Sequence, residues 1–135
     1  MHRVTVNDMS VKDRLDGFRT RFAGCKAVAF ADLSTGMVLS SSTREKTTQE
    51  HLDALCQKAT VSLNGDDATR VAAAFSTSRC MPQTAVLFDR TQQYCFVRSA
   101  HDNKEALCIL CDSDAPVTDI MAAAVQVLDA IGMEV

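Results

Sequence analysis

Two periods of apolar and polar residues alternate along this chain, and the points where one gives way to the other mark its elements. Over residues 8–22, Val11, Leu15, Phe18 and Phe22 recur at helical spacing with charged residues between them. That spacing predicts an amphipathic helix, with Asn7, Asp8 or Ser10 available as its cap and Gly24 as its stop. Gly17 inside it either lets the helix lie close to a sheet or is simply tolerated. Residues 25–31 (CKAVAFA) then alternate Ala27, Ala29 and Ala31 with Val28 and Phe30, which predicts a strand apolar on both faces. A turn over 32–36, with Gly36 supplying a positive φ, leads to a second strand over 37–41.

Beyond a polar loop, Thr47 and Glu50 have capping-box spacing. Leu52, Leu55, Cys56, Ala59 and Leu63 follow as an apolar stripe, so a second helix runs to Asn64 and Gly65. A further helical piece is expected over 68–75, capped by Asp66 or Asp67. Three short strands over 84–89, 94–99 and 106–111 are joined by tight turns, the pattern of an antiparallel meander. A last helix follows, with Asp114 as cap, Pro116 in its first turn and Gly132 as its stop. Val117, Ile120, Met121, Ala124, Val127 or Leu128, and Ile131 give its apolar side.

The element order is helix, two strands, helix, three strands, helix. The fold class is therefore α/β in the broad sense (α+β): a five-stranded antiparallel sheet covered by helices on both faces. A length of 135 residues fits one domain spanning 1–135. Thr84, Ala85, Val86, Leu87 and Phe88 contain no charge, whereas exposed edge strands usually carry one. This strand is either an edge covered by a partner or an interior strand; sequence alone does not order the sheet.

Charge and composition narrow the functions. The net charge is −3, which gives no general reason to bind nucleic acid. Residues 1–22 carry a net +2 and residues 102–135 a net −6, read as solvated helix faces. No run approaches the roughly 20 apolar residues that cross a bilayer, and the start MHRVTVNDMS lacks the apolar stretch of a signal peptide. A cytoplasmic location is the expectation, and there the six cysteines act mainly as small core residues.

From the helix through GCKAVAFADLSTGMVLSSS, and again through TAVLFDRTQQYCFVRSAHDNKEALCILCDSDAPVTDIMAAAVQVLDAI, the chain resembles the roadblock/LC7 domain family. Gly24, Asp32, Gly36, Arg98 and the strand from Leu107 to Cys111 occupy the places of the family pattern, with one extra residue between Asp32 and Gly36. The resemblance implies profilin-like layers, with one long helix on one face of the sheet and the terminal helices on the other. It implies a homodimer joined edge to edge, and a role as an adaptor in signalling or motor complexes or as a regulator of small Ras-like GTPases. Mapped by element, the dimer surface would take Leu52, Leu55, Cys56, Ala59 and Leu63 in part. It would also take the strand that opens on Thr84 and closes on Asp89. Small residues on a second face of the middle helical region, Ala54 and Val61 among them, fit close packing against another subunit or merely high helix propensity.

The motifs that could carry chemistry read more simply as structure. Cys108-x-x-Cys111 ends a strand, not a helix N-terminus where a thiol is activated, and residues three apart on a strand face opposite ways. It has no second pair at zinc spacing. His2, His51 and His101 form no ligand cluster. Asp32 is expected to accept backbone N–H bonds across its turn. No glycine-rich phosphate loop is present. Tyr94 and Phe96, with Arg98 after them, form one aromatic stripe read as core or protein contact. No catalytic residue, cofactor or metal is therefore expected. The alternative is a ligand-sensing domain of the PAS, GAF or profilin-like kind, with Met37, Tyr94 and Cys95 as pocket lining. An enzyme would require Asp32, His101 and a cysteine to meet in a cleft.

Overall fold

The computed structural model describes residues 10–65 and 83–133. The helical piece expected over 68–75, along with His2 and Cys80, lies outside the described residues. Within them, three helices and five strands occur in the expected order: α1 (Val11–Arg21), β1 (Cys25–Asp32), β2 (Met37–Thr43), α2 (Gln49–Asn64), β3 (Thr84–Phe88), β4 (Gln92–Arg98), β5 (Glu105–Asp112) and α3 (Val117–Met133). All pairings are antiparallel, and the sheet runs β2-β1-β5-β4-β3. Among the described residues β3 is thus an edge strand and not an interior one.

Alternation along β1 divides the core. Val28 and Phe30 face one side with Cys95, Val97, Leu107 and Ile109, under Leu15 and Phe18 of α1 and Ile120, Ala124, Leu128 and Ile131 of α3. Ala29 and Ala31 face the other with Phe96, Ala106 and Cys108, under Leu55, Cys56, Ala59 and Leu63 of α2. A register shift between Cys25 and Ala27 against β5 turns Cys25 toward the α1–α3 side, out of the simple alternation.

Local chemistry explains the boundaries. Ser10 caps α1 by accepting from the Asp13 N–H at 3.1 Å. Thr48, not Thr47, caps α2, accepting from the His51 N–H at 3.3 Å, while Thr47 donates to the Glu45 carbonyl. The cap therefore sits one residue later than expected, with His51 rather than Glu50 three residues after it. Gly36 has φ 73° and closes the β1–β2 turn by donating to the Asp32 carbonyl at 2.9 Å. A side chain at Gly17 would meet nothing within 4 Å, so that glycine serves no close approach to the sheet. Gly132 lies inside α3 and does not stop it, and Pro116 precedes the helix, its carbonyl accepting from the Ile120 N–H at 3.0 Å.

β4 begins two residues earlier than the apolar pattern predicts. Gln93 is buried although polar, because its amide donates to the carbonyls of Asp112 at 3.1 Å and Ala115 at 3.0 Å. That bond set ties the strand to the turn that leads into α3. Across the sheet, Ser42 of β2 is buried between Arg19, which donates to it at 2.8 Å, and Asp16, to which it donates. The Ser42 hydroxyl, followed by Lys12, holds the Asp16 carboxyl below its ordinary pKa.

Candidate interaction surface

α2 presents two stripes, and only one is spent inside the chain. Leu52, Leu55, Cys56, Ala59 and Leu63 are all buried beneath the sheet-facing side. Assigning them to a partner needs correction: a period of 3.6 places them on one face, and that face is already covered by this chain's own strands. The outward stripe is Ala54, Lys58 and Val61, with Val61 63% exposed. It shares a shallow depression with Gln57, Ser62 and Leu87 of β3.

β3 continues this surface. Among the described residues its five residues pair with β4 alone, from Thr84 opposite Val97 to Phe88 opposite Gln93. Ala85 packs onto the α2 core and Val86 onto the α1–α3 core, so the strand is anchored from both faces. Leu87 and Phe88 are 38% and 72% exposed. Among the described residues nothing pairs with the outer side of this charge-free edge; Leu87 lies beside the outward stripe of α2, and Phe88, one residue on, points to the other face. Such an edge is a template for pairing with another strand.

Arg98 holds α2 where it meets the end of β4. It is only 4% exposed, and its guanidinium donates to the carbonyls of Leu63 and Asn103, both at 2.8 Å, and to the Asn64 side chain at 2.7 Å. A cation at a helix C-terminus satisfies the last carbonyls and complements the helix dipole. Burial lowers the Arg98 pKa. The arginine that follows the aromatic stripe in sequence is therefore a helix clamp, and Tyr94 and Phe96 stack with centroids 6.3 Å apart against the α2 core.

A groove opens beside the first half of α2, enclosing about 410 Å³. Tyr94, Ala27 and Leu110 of the sheet and Leu52 and Leu55 of the helix make its apolar walls, and Lys26, Arg44, Lys46 and Lys58 stand around it. Of the trio expected to line a pocket, only Tyr94 does so here. Met37 is exposed on edge strand β2, and Cys95 is buried in the opposite core, because successive strand residues point to opposite faces.

The remaining chemistry-bearing residues are held apart or engaged. The Asp32 carboxylate accepts from the Ser34 N–H at 2.8 Å, the Ser34 hydroxyl at 2.6 Å and the Thr35 N–H at 3.3 Å, the turn role its position suggests. Those bonds, the Ser34 hydroxyl foremost, hold its pKa below the ordinary value. His51 Nδ1 lies 2.9 Å from the Thr48 hydroxyl, and His101 Nε2 lies 3.4 Å from Asp129. Cys108 and Cys111 sit in opposite cores as their spacing requires, and burial pushes the Cys108 thiol up. The described cysteines are free and buried. Among the described residues no group of three or more His, Cys, Asp or Glu is placed to hold a metal ion. Also among them, no helix is long and apolar enough to cross a membrane.

A five-stranded antiparallel sheet with one helix on one face and two terminal helices on the other is the roadblock/LC7 fold, and this chain has it. The chain is similar to a roadblock/LC7 domain from Streptomyces avermitilis at TM-score 0.75 and 10% identity, covering 91% of this chain and 95% of that one. It is similar to the gliding protein MglB of Thermus thermophilus at TM-score 0.72 and 14% identity, with 98% and 93% covered. A third similar structure is MglB in a tetrameric arrangement, at TM-score 0.75 and 13% identity, with 98% and 92% covered. No family model matches the sequence, and no curated protein matches it either.

Proposed function

We propose that the chain is a non-catalytic adaptor that works as a homodimer and presents its paired surface to a second protein, a small Ras-like GTPase being the first partner to try. One observation carries this reading: the charge-free edge of β3 runs directly into the outward stripe of α2, so that sheet edge and helix face form one unfinished surface. Two copies related by a two-fold axis would set β3 against β3 and α2 against α2, completing both at once. The similar MglB structure with a tetrameric arrangement supports an assembling fold. The engaged state of Asp32 and His101 and the buried thiols support a binding role over catalysis.

Size-exclusion with light scattering tests the pairing, and a chain that stays monomeric at high micromolar concentration sinks it. Capture of a purified Ras-like GTPase by the wild-type chain, lost on changing Val61 to Asp, tests the partner. The ligand-sensing alternative has one observation in its favour, the groove beside α2.

A further inference from the structure

The geometry points to the groove beside the first half of α2 as a binding site for a small aromatic organic anion. This inference gives the ligand-sensing alternative its site; Ala54 and Lys58 border both this groove and the outward stripe of α2, so the experiment below reads binding and pairing by separate measurements.

The size suits a small molecule: about 410 Å³ falls within the range of pockets that enclose one. The site is built by one chain, from β1, β4, β5, α2 and the segment between β2 and α2. Its charge is one-sided. Lys26, Arg44, Lys46 and Lys58 face it against the single carboxylate of Glu45, in a chain whose net charge is −3. Four cations on a concave, partly apolar surface, two of them sharing Asp112, still leave a cationic excess that raises the local concentration of anions. Asp112 lies behind two of them, 3.5 Å from Lys26 and 3.9 Å from Arg44, and holds them at the sheet end. Thr47 and His51 bring the N-terminus of α2 to the opening, where the helix dipole also favours negative charge.

The aromatic preference comes from the floor. The Lys58 ammonium lies 5.2 Å from the centroid of the Tyr94 ring. The Tyr94 hydroxyl is held by the Gln92 amide at 2.8 Å, and the ring stacks on Phe96, so its plane is fixed. A flat ring sliding beside Tyr94 would meet Ala27, Leu55 and Leu110, while its acidic group took Lys58 and Lys46 as partners. A macromolecular acid would have to insert a protruding residue into the groove, which favours the small ligand.

The test is a titration of the full chain with 2-naphthoate, followed through its amide resonances. Saturable shifts at Lys26, Ala54 and Leu110 are expected, with the neutral 2-naphthamide at least tenfold weaker. K46Q combined with K58Q should weaken naphthoate at least tenfold, and Tyr94→Leu severalfold. The exposed lysine changes should leave the thermal midpoint within a degree or two, so that lost binding is not lost folding. Equal binding of the amide, shifts confined to Val61 and Leu87, absence of saturation, or tighter binding of hexaglutamate would each overturn the assignment. Light scattering on the same samples reads pairing independently.

Discussion

The two faces of the sheet are built to different standards. The α1–α3 face is closed by two helices with large side chains, Leu15, Phe18, Phe22, Ile120, Leu128 and Ile131. The α2 face is floored with small ones, Ala29, Ala31, Ala59, Ala106, Cys56 and Cys108, and among the described residues carries a single helix across it. Small residues let the helix lie low against the strands. A groove remains on one side of α2, and an exposed apolar stripe runs along β3 on the other. On the proposed reading the difference is a division of labour: the first face is closed by large side chains within the chain, and the second leaves surface for contact.

The largest effect that can break this comparison lies in the first face. Ile120→Ala removes a fully buried side chain and should cost about 3–4 kcal/mol in denaturant unfolding, with the oligomeric state of the folded fraction unchanged. Arg98→Ala comes next, at roughly 2–4 kcal/mol, because the last turn of α2 loses a charged donor to buried acceptors. Amide exchange should then quicken at the C-terminal turn of α2 before the β1–β5 centre.

Val61→Asp sharpens the contrast from the other side. A surface change of this kind should alter the folding stability of a single chain by no more than about 0.5 kcal/mol. Yet the dimer dissociation constant measured by ultracentrifugation should rise at least tenfold, with Leu87→Lys behaving alike. If Val61→Asp instead unfolds the chain, the outward stripe is core and the division fails.

The smallest effect is electrostatic. The folded state holds the Asp32 carboxyl below its ordinary pKa, so its contribution is present above the ordinary value and is lost as pH falls through the lower folded one. Glu105 has the opposite sign: burial raises its pKa, so its ionisation opposes folding as pH climbs through that range. Asp32→Asn should slightly lower the thermal midpoint at neutral pH and flatten the decline in acid, below about pH 4. Melts recorded on either side of that range would resolve the difference.

Much of this is legible in the sequence. The periods of α1, β1, α2 and α3 are all visible, because each has one clear apolar face or, in β1, two. The starts of β4 and α2 are less so: Gln93 is buried through bonds to carbonyls some 20 residues away, and Thr48 rather than Thr47 has the capping geometry. The stripe of Leu52, Leu55 and Leu63 stands out as buried, but a pattern of buried positions does not say whose surface buries them. Ala54 and Val61 are visible as a second face, and only strand order makes that face continuous with β3. The groove lies beyond sequence reading, because Lys26, Arg44, Lys58 and Tyr94 come together only through the fold.

The Arg98 clamp gives α2 a fulcrum. With the Leu63 carbonyl and the Asn64 side chain fastened to the end of β4, the helix is fixed at its C-terminal extremity, while its first half borders the groove. A 16-residue helix is about 24 Å long, so a swing of about 5° about the clamp would carry Thr48 by about 2 Å and Val61 by only a small fraction of that. A displacement of the first turn would thereby be geared down before it reached the edge of the sheet.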